Sequence, residues 1–207
     1  MARPKNSPEK IKKMRDKMMD AVIELLDDVS PNKVSIRMIA EKVKVSHMVF
    51  YTYFEDREEL MNSLIDRQQK RIDKHFEGLM EKSQNQPVFN VLKTVLNDYS
   101  ETAHNHPKIY SLFWMTPKEE RKGKSVTHSF RHLEPSLENI AQLLKLGMDK
   151  GEFVQRDSKL AALTVMSIMN APLLLHRCGK KPSNFPVNRC LEKRLLQYLP
   201  IYQAINR

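Results

Sequence analysis

The segment from Val34 to Phe54 constrains the fold of this chain more tightly than any other part of the sequence. Ile36 and Ile39 recur at the spacing of one helix face, and Ser46 stands where the N-cap of a following helix is expected. A short helix, a tight turn and a second helix running to about Phe54 make a helix-turn-helix. We therefore predict that this segment forms the centre of a small three-helix domain.

The outer face of the second helix has an unusual chemistry. The side chains left pointing outward, or partly outward, are His47, Met48, Val49, Tyr51 and Thr52. An exposed group of Met, Val and Tyr is unexpected on a solvated surface, but it suits a face that meets base edges and thymine methyl groups. Two ordinary explanations stay open: Tyr51 could pack in the core, and His47 could be an incidental surface residue.

Helical periodicity continues through the rest of the chain. Apolar residues recur at three- and four-residue spacing over 8–29, 36–43, 46–54, 56–80, 88–102, 133–148, 159–176 and 187–199, and over a short aromatic stretch from 107. The chain has only 5 glycines and no alternating apolar segment, so no strand is predicted. The expected fold class is all-α.

Turn and capping residues divide this helical sequence into parts. Asp56 and Glu59 form an Asp-x-x-Glu capping box at the start of a long helix, and a polar linker follows that helix at 82–87. We predict a basic N-terminal arm over 1–7, a helix-turn-helix domain over 8–55, a long connecting helix over 56–81 and a second helical domain over 82–207.

The charge of the chain favours an anionic partner. The net charge is +10, and the first seventeen residues hold seven lysines and arginines against two acidic residues. Because this basic stretch directly precedes and enters the first helix, it could reach along a nucleic-acid backbone or into a minor groove. A solvated, mobile tail is the alternative.

Other classes of site have little support in the sequence. Cys178 and Cys190 are expected to be reduced thiols of a cytoplasmic protein rather than a disulfide or a redox sensor. The longest apolar run, 160–175, is shorter than the roughly 20 residues that span a bilayer, so no membrane association is predicted. His128 and His132 stand four residues apart, yet no acidic or thiol ligand accompanies them closely. We predict neither a metal nor another cofactor.

The helix-turn-helix resembles that of the tetracycline-repressor (TetR) family. The matching residues are Ile39-Ala40, Val45-Ser46, Tyr51-x-Tyr53-Phe54 and Arg57-Glu58-x-Leu60, within a resemblance that is specific over about residues 8–65. The family's turn is commonly Ala-Gly, whereas this chain has Val43-Lys44. A left-handed Lys44 would carry strain of about 1 kcal/mol. The resemblance implies a DNA-binding transcription regulator.

The family's pattern also implies roles for individual residues. It implies that four residues of the second helix approach the bases, namely His47, Met48, Val49 and Tyr51. It implies that five others bind phosphates or fix the register on the duplex, namely Ser35, Arg37, Ser46, Tyr53 and Arg57. Thr52 completes the predicted DNA-binding set as an outward-facing neighbour of Tyr51.

Residues beyond 82 supply a candidate pocket for an effector. Aromatic and flexible side chains suited to an adaptable apolar pocket are Tyr99, Tyr110, Phe113, Trp114, Met148, Met166 and Met169. A stripe of this kind is also what a plain helical core contains. The resemblance implies a small-molecule inducer here, expected to be apolar or aromatic.

The helix over 159–176 is apolar nearly all round and must be buried on more than one side. A second copy of the chain would cover it, together with the last helix. The predicted dimer-interface residues are Leu163, Met166, Leu173, Leu174, Leu191 and Leu195. A homodimer would present two recognition helices to the two halves of a palindrome.

These observations favour a homodimeric repressor that binds a palindromic operator on double-stranded DNA and is released by a small-molecule effector. The alternative is an effector-independent DNA-binding adaptor or activator that recruits a protein partner. An enzyme is not expected, because the sequence offers no paired carboxylates, no nucleophile with a base and no phosphate-cradling glycine loop.

Overall fold

The computed structural model describes residues 7–115 and 133–177, and every regular element in these ranges is helical. The helices are α1 (Pro8–Asp28), α2 (Ile36–Val43), α3 (His47–Phe50), α4 (Arg57–Lys82), α5 (Val88–Asn105), α6 (Pro107–Met115), α7 (Leu133–Asp149) and α8 (Ser158–Arg177), with a 3₁₀ turn at Pro31–Lys33. The predicted all-α fold class is confirmed. No helix within the described ranges combines the length and hydropathy that a membrane crossing requires.

The described residues divide into two compact units that do not follow chain order. The first unit holds the residues up to Lys70 together with α6, and the second holds the residues from Arg71 to Asn105 together with α7 and α8. The division therefore falls inside α4. The assignment of α6 to the first unit was not anticipated, because its aromatic sequence had suggested a place among the helices beyond residue 82.

The first unit is built around the helix-turn-helix. α1 packs on α2, and α2 packs on α3. The largest fully buried side chains of this core include Met18, Leu26, Ile39, Phe50, Phe54, Leu60 and Leu64. α6 joins the same core through Leu112, which is buried, and Lys108 of α6 donates to the backbone oxygen of Asp27 at 2.6 Å, near the end of α1.

Capping residues explain where the helices of this unit begin. The backbone N–H of Lys10 donates to the Ser7 hydroxyl at 3.4 Å, and Pro8 occupies the first turn of α1 as predicted. Asp56 accepts the N–H of Glu59 at 2.8 Å, which confirms it as the cap of α4. The Glu59 carboxylate, however, accepts the N–H of Glu55 at 2.6 Å, one residue earlier than a capping box would place it.

α3 is shorter than its sequence suggested, because it ends at Phe50 instead of about Phe54. The N–H groups of Thr52 and Tyr53 donate to carbonyls three residues back, at 3.1 and 2.9 Å, so the chain continues as tight turns. These turns bring the centroid of the Phe54 ring to 5.7 Å from the centroid of the Phe50 ring, and both rings are buried.

The second unit consists of the later part of α4 with α5, α7 and α8. α8 packs along α7, α5 packs on both, and the buried side chains include Leu92, Leu143, Met148, Phe153 and Met169. Gly147 allows a close approach here, since a Cβ at this position would lie 2.3 Å from the Phe153 ring. Several predictions fall outside the described residues: the arm up to residue 6, His128 and His132, both cysteines, and the helix over 187–199 with Leu191 and Leu195.

Candidate nucleic-acid interface

The first helix of the motif, α2, is held by its cap and by its apolar face. The N–H of Met38 donates to the Ser35 hydroxyl at 3.3 Å, so this hydroxyl satisfies one of the free donors at the helix start. Ile39 and Val43 are buried against the core. Arg37 lies on the opposite face, where its side chain is 83% exposed and pairs with Glu41 at 2.9 Å. α2 therefore places a hydroxyl and a guanidinium at its exposed N-terminal end.

The turn between α2 and α3 is formed by the backbone conformation of Lys44. Its backbone adopts φ 61° and ψ 47°, the left-handed region that non-glycine residues rarely occupy. Its N–H donates to the Glu41 carbonyl at 3.1 Å, and the N–H of Val45 donates to the Ala40 carbonyl at 2.9 Å. This pair of bonds is a Schellman motif, which ends α2 and redirects the chain into α3.

α3 presents an apolar and aromatic surface to solvent. Met48 is 73% exposed and Tyr51 is 46% exposed, whereas Phe50 between them is fully buried. The His47 and Tyr51 rings meet edge to face, with their centroids 5.3 Å apart. The outward orientation predicted for His47, Met48, Tyr51 and Thr52 is confirmed, and Val49 is partly exposed. Core packing is thus not the role of Tyr51.

Phe54 and the turn beneath α3 are fixed by Arg15, a residue that sequence reasoning did not single out. Its guanidinium lies 4.0 Å from the centroid of the Phe54 ring and 2.8 Å from the Glu59 carboxylate. It also donates to the backbone oxygen of Tyr53. Tyr53, predicted to contact phosphate, is itself half-buried. The sequence signal for Arg15 was weak, because it stands beside the apolar stripe of α1 among other basic residues.

Arg57 is held by backbone oxygens of its own unit. Its Nε donates to the Val34 carbonyl at 2.6 Å, and its guanidinium also donates to the Pro31 carbonyl. Burial lowers the pKa of Arg57, but an arginine stays protonated under physiological conditions. These bonds tie the start of α4 to the loop before α2. Both roles that the resemblance implies for Arg57, a phosphate contact and fixing the register on the duplex, stay predictions.

Exposed charges of both signs lie near the motif, with Glu41, Glu55 and Glu58 among the acidic ones. Lys33 and Lys44 are exposed, as is Arg37. Lys42 pairs with Glu24 of α1 at 2.8 Å, and this hydrogen bond raises the pKa of Lys42. The Ser46 hydroxyl makes no capping hydrogen bond within the described part of the chain, unlike that of Ser35. An anionic backbone that approaches the ends of α2 and α3 would meet cations and hydroxyl donors.

Comparison with known families decides what this motif is. The sequence profile for bacterial regulatory proteins of the tetR family matches residues 18–64, the stretch that includes α2, α3 and the start of α4. Over these residues the chain is similar to the tetR family of bacterial regulatory proteins. The resemblance inferred from the motif residues is thereby confirmed.

Solved structures extend the likeness in fold to nearly the whole chain. A TetR-family regulator from Agrobacterium tumefaciens aligns with a TM-score of 0.73 at 12% identity, over 91% of this chain and 98% of that chain. The fatty acid degradation regulator FadR from Bacillus halodurans aligns with a TM-score of 0.69 at 18% identity, over 91% of this chain and 93% of that chain. FadR from Bacillus subtilis, solved in complex with stearoyl-CoA, aligns with a TM-score of 0.68 at 14% identity, over 89% of this chain and 97% of that chain. No curated protein matches the sequence.

The described residues predicted to line an effector pocket are divided between the two units. Tyr110 is buried in the first unit, and Phe113 and Trp114 lie on the same helix, α6. Met148, Met166 and Met169 are buried in the second unit. Tyr99 of α5 donates to the side-chain oxygen of Asn170 at 2.7 Å, which joins α5 to α8. A pocket formed by the full set stays a prediction.

Four of the predicted dimer-interface residues belong to α8, and the exposure of two of them, Leu163 and Met166, is described. Leu163 is 48% exposed and its neighbour Leu160 is 64% exposed, whereas Met166 is buried against α7 and α5. Leu173 and Leu174 belong to the same helix. The exposed leucines show that the packing described within the protomer leaves part of the apolar surface of α8 uncovered.

Proposed function

We propose that this chain is a regulator of the TetR family, and that it is a homodimeric repressor that binds a palindromic operator through the exposed face of α3. The observation that carries the proposal is the exposure of Met48 and Tyr51, with the His47 ring packed against Tyr51. Large apolar groups exposed at the tip of a helix-turn-helix are explained by contact with base edges and thymine methyl groups. Val49, only partly exposed, would contact the same bases from the edge of this face.

The surroundings of α3 support phosphate contacts on either side of it. The hydroxyl of Ser46 lies at the start of α3 without a capping bond in the described structure, and Arg37 extends from the N-terminal turn of α2. Arg37 can exchange its exposed partner Glu41 for a phosphate at little cost, because an exposed ion pair contributes little free energy. Phosphate contacts of this kind position a protein on DNA, and the bases then specify the site.

Dimerisation is supported by the exposed apolar surface at the start of α8. Leu160 and Leu163 are three residues apart and lie on one helix face. Their burial against a second copy would stabilise the dimer by the hydrophobic effect. A two-fold dimer then carries two copies of α3, which fits a palindromic operator.

For the effector we propose a long-chain acyl thioester of coenzyme A as the first class to test. The support is the fold shared with the Bacillus subtilis FadR that was solved with stearoyl-CoA. The buried methionines of the second unit add to this support, because their flexible side chains can rearrange around an acyl chain. Release of DNA by such a ligand would require differential binding to two states of the protein.

Selection of bound sequences from random duplex DNA tests the DNA-binding proposal directly. We expect enrichment of a palindrome, and a loss of affinity of about 1–3 kcal/mol for M48A/Y51A on that palindrome, measured by fluorescence anisotropy. I72A is the matched control, because Ile72 is also a large apolar residue, 42% exposed, but lies on α4 outside the motif. Failure to enrich any sequence would contradict DNA binding by this face.

The effector proposal is tested with the selected operator. Stearoyl-CoA added to the complex is expected to release the DNA, while free coenzyme A at the same concentration is expected to leave most of it bound. If no acyl thioester and no metabolite extract releases the operator, the chain is better described as an effector-independent adaptor. A protein partner would then be sought by copurification with the operator complex.

A further inference from the structure

The later part of α4 carries several basic residues on one side. Arg71, Lys74 and Lys82 fall with His75 and Gly78 at helix spacings of three, four, seven and eleven residues, which places them on one side. All three cations and His75 are exposed. The acidic residues of the same stretch are Asp73, Glu77 and Glu81, and Glu81 lies seven residues after Lys74, at the edge of the basic side.

Residues of this face line an open surface groove of about 390 Å³, and all the described lining residues belong to α4. Its lining includes Leu79 beside the basic residues, and the described lining contains no carboxylate. His75 Nε2 lies 2.8 Å from the Asp98 carboxylate of α5, so the carboxylate nearest to this lining residue is hydrogen-bonded to it. The volume lies within the range of small-molecule sites, which begins at about 300 Å³.

Gly78 gives the groove its depth. Glycine is among the least favourable residues in a helix interior, so its presence there needs a reason. Packing does not supply one, because no described atom lies within 4 Å of the place where a Cβ would stand. The missing side chain leaves a depression in the middle of the basic face, and it lets a ligand approach the helix backbone closely.

We propose that this groove binds the phosphate groups of an organic phosphate of about nucleotide size. The guanidinium of Arg71 can hold phosphate oxygens in pairs, and Lys74 and Lys82 add point charges beside it. The inference rests on the proposed function, since it assigns the phosphate-bearing end of a coenzyme A thioester to α4. A free nucleotide offers the same chemistry, and the two sources are separated by experiment.

Calorimetric titration of the full chain without DNA tests the groove, with ADP, coenzyme A and inorganic phosphate as probes at physiological ionic strength. We expect coenzyme A and ADP to bind and inorganic phosphate to bind much more weakly. Coenzyme A binding tighter than ADP assigns the groove to the thioester, and the reverse order assigns it to a free nucleotide. Binding of inorganic phosphate equal to that of ADP would overturn the assignment to an organic phosphate, as would the absence of binding by all three probes.

Substitutions then locate the site. R71A/K74A is expected to weaken binding of the better probe about tenfold or more, since each charge-assisted bond to phosphate is worth at least that factor. The matched control is K70A/R156A, which removes the same charge from exposed positions outside the lining. Equal weakening in the control would show general electrostatic attraction and would overturn the proposal.

G78M fills the groove and leaves every charge in place. We expect it to weaken the probe about as much as R71A/K74A, with helical content and thermal midpoint measured alongside to show that the chain is folded. Unchanged probe binding in G78M would overturn the site.

If R71A/K74A loses operator affinity in the absence of ligand and the control variant does not, the groove would be assigned to DNA instead. If coenzyme A binds in the groove and stearoyl-CoA still fails to release the operator, this inference stands and the effector proposal fails.

Discussion

Lys44 adopts a left-handed conformation at the point where α2 turns into α3. A β-carbon in that region crowds the following carbonyl, which costs about 1–2 kcal/mol, and glycine avoids the cost at the expense of a more flexible unfolded chain. We therefore predict that Lys44→Gly raises the free energy of unfolding by about 0.5–1 kcal/mol. Equilibrium urea denaturation followed by circular dichroism measures the change.

Lys44→Ala is the control for the Lys44→Gly variant. It removes the same charge but keeps the β-carbon, so it should leave the free energy of unfolding within about 0.5 kcal/mol of the parent. Equal stabilisation by alanine and glycine would mean that charge repulsion, and not backbone strain, is relieved at this position.

Residues close in sequence were predicted better than residues brought together by the fold. The outward orientation of Met48 and Tyr51 and the burial of Phe50 follow from a three- to four-residue period. The contact of Arg15 with Phe54 joins α1 to the turn after α3, and the bonds of Arg57 reach carbonyls 23 and 26 residues away. No local pattern encodes such partners, because they depend on how helices pack.

At the scale of whole elements, local sequence patterns again do not reveal how helices pack, and for this reason the core that α6 joins was not predicted. The proline at 107 indicated where α6 begins, but the pattern of its apolar residues cannot tell which core the helix joins. Leu112 places it in the core of the first unit. The early end of α3 was not predicted either, because the apolar spacing continues to Phe54 although the chain forms turns after Phe50.

The connection between α7 and α8 stabilises the junction of α4 and α5 by capping both helix ends. The Glu152 carboxylate accepts the N–H groups of Val88 and Phe89, at 3.0 and 3.2 Å, in the first turn of α5. Lys150 donates to the backbone oxygen of Ser83 at 2.5 Å, just after α4. An anion at a helix start and a cation at a helix end each oppose the helix dipole.

We predict that Glu152→Ala lowers the free energy of unfolding by about 1–2 kcal/mol, because it leaves two N–H groups without this acceptor and removes a charge that favours the helix dipole. Glu138→Ala is the matched control, since that carboxylate makes only an exposed pair with Lys159 at 3.4 Å. The control should change stability by less than about 0.5 kcal/mol in the same urea titration. Equal effects of the two substitutions would argue against capping by Glu152.

At the scale of the whole molecule, the proposed function depends on assembly. In the proposed complex one copy of α3 would contact few bases, and a palindrome would be recognised by two copies whose separation the dimer sets. The protein's net charge of +10 attracts DNA of any sequence, so specificity has to come from this paired geometry. Loss of the dimer should therefore reduce specific binding far more than non-specific binding.

L160E/L163E tests this dependence, because it places two carboxylates on the exposed face of α8 without disturbing a buried side chain. We predict a shift from dimer to monomer in sedimentation velocity at micromolar protein, since burial of unpaired charges at an interface is costly. Operator affinity should fall at least about a hundredfold, while binding to unrelated duplex DNA should fall only about as much as two added negative charges require. I72E is the control, an exposed apolar residue of α4 given the same charge. If L160E/L163E stays dimeric with unchanged operator affinity, the dimer interface lies away from the start of α8. If the variant is monomeric and its operator affinity is unchanged, operator binding does not require a dimer.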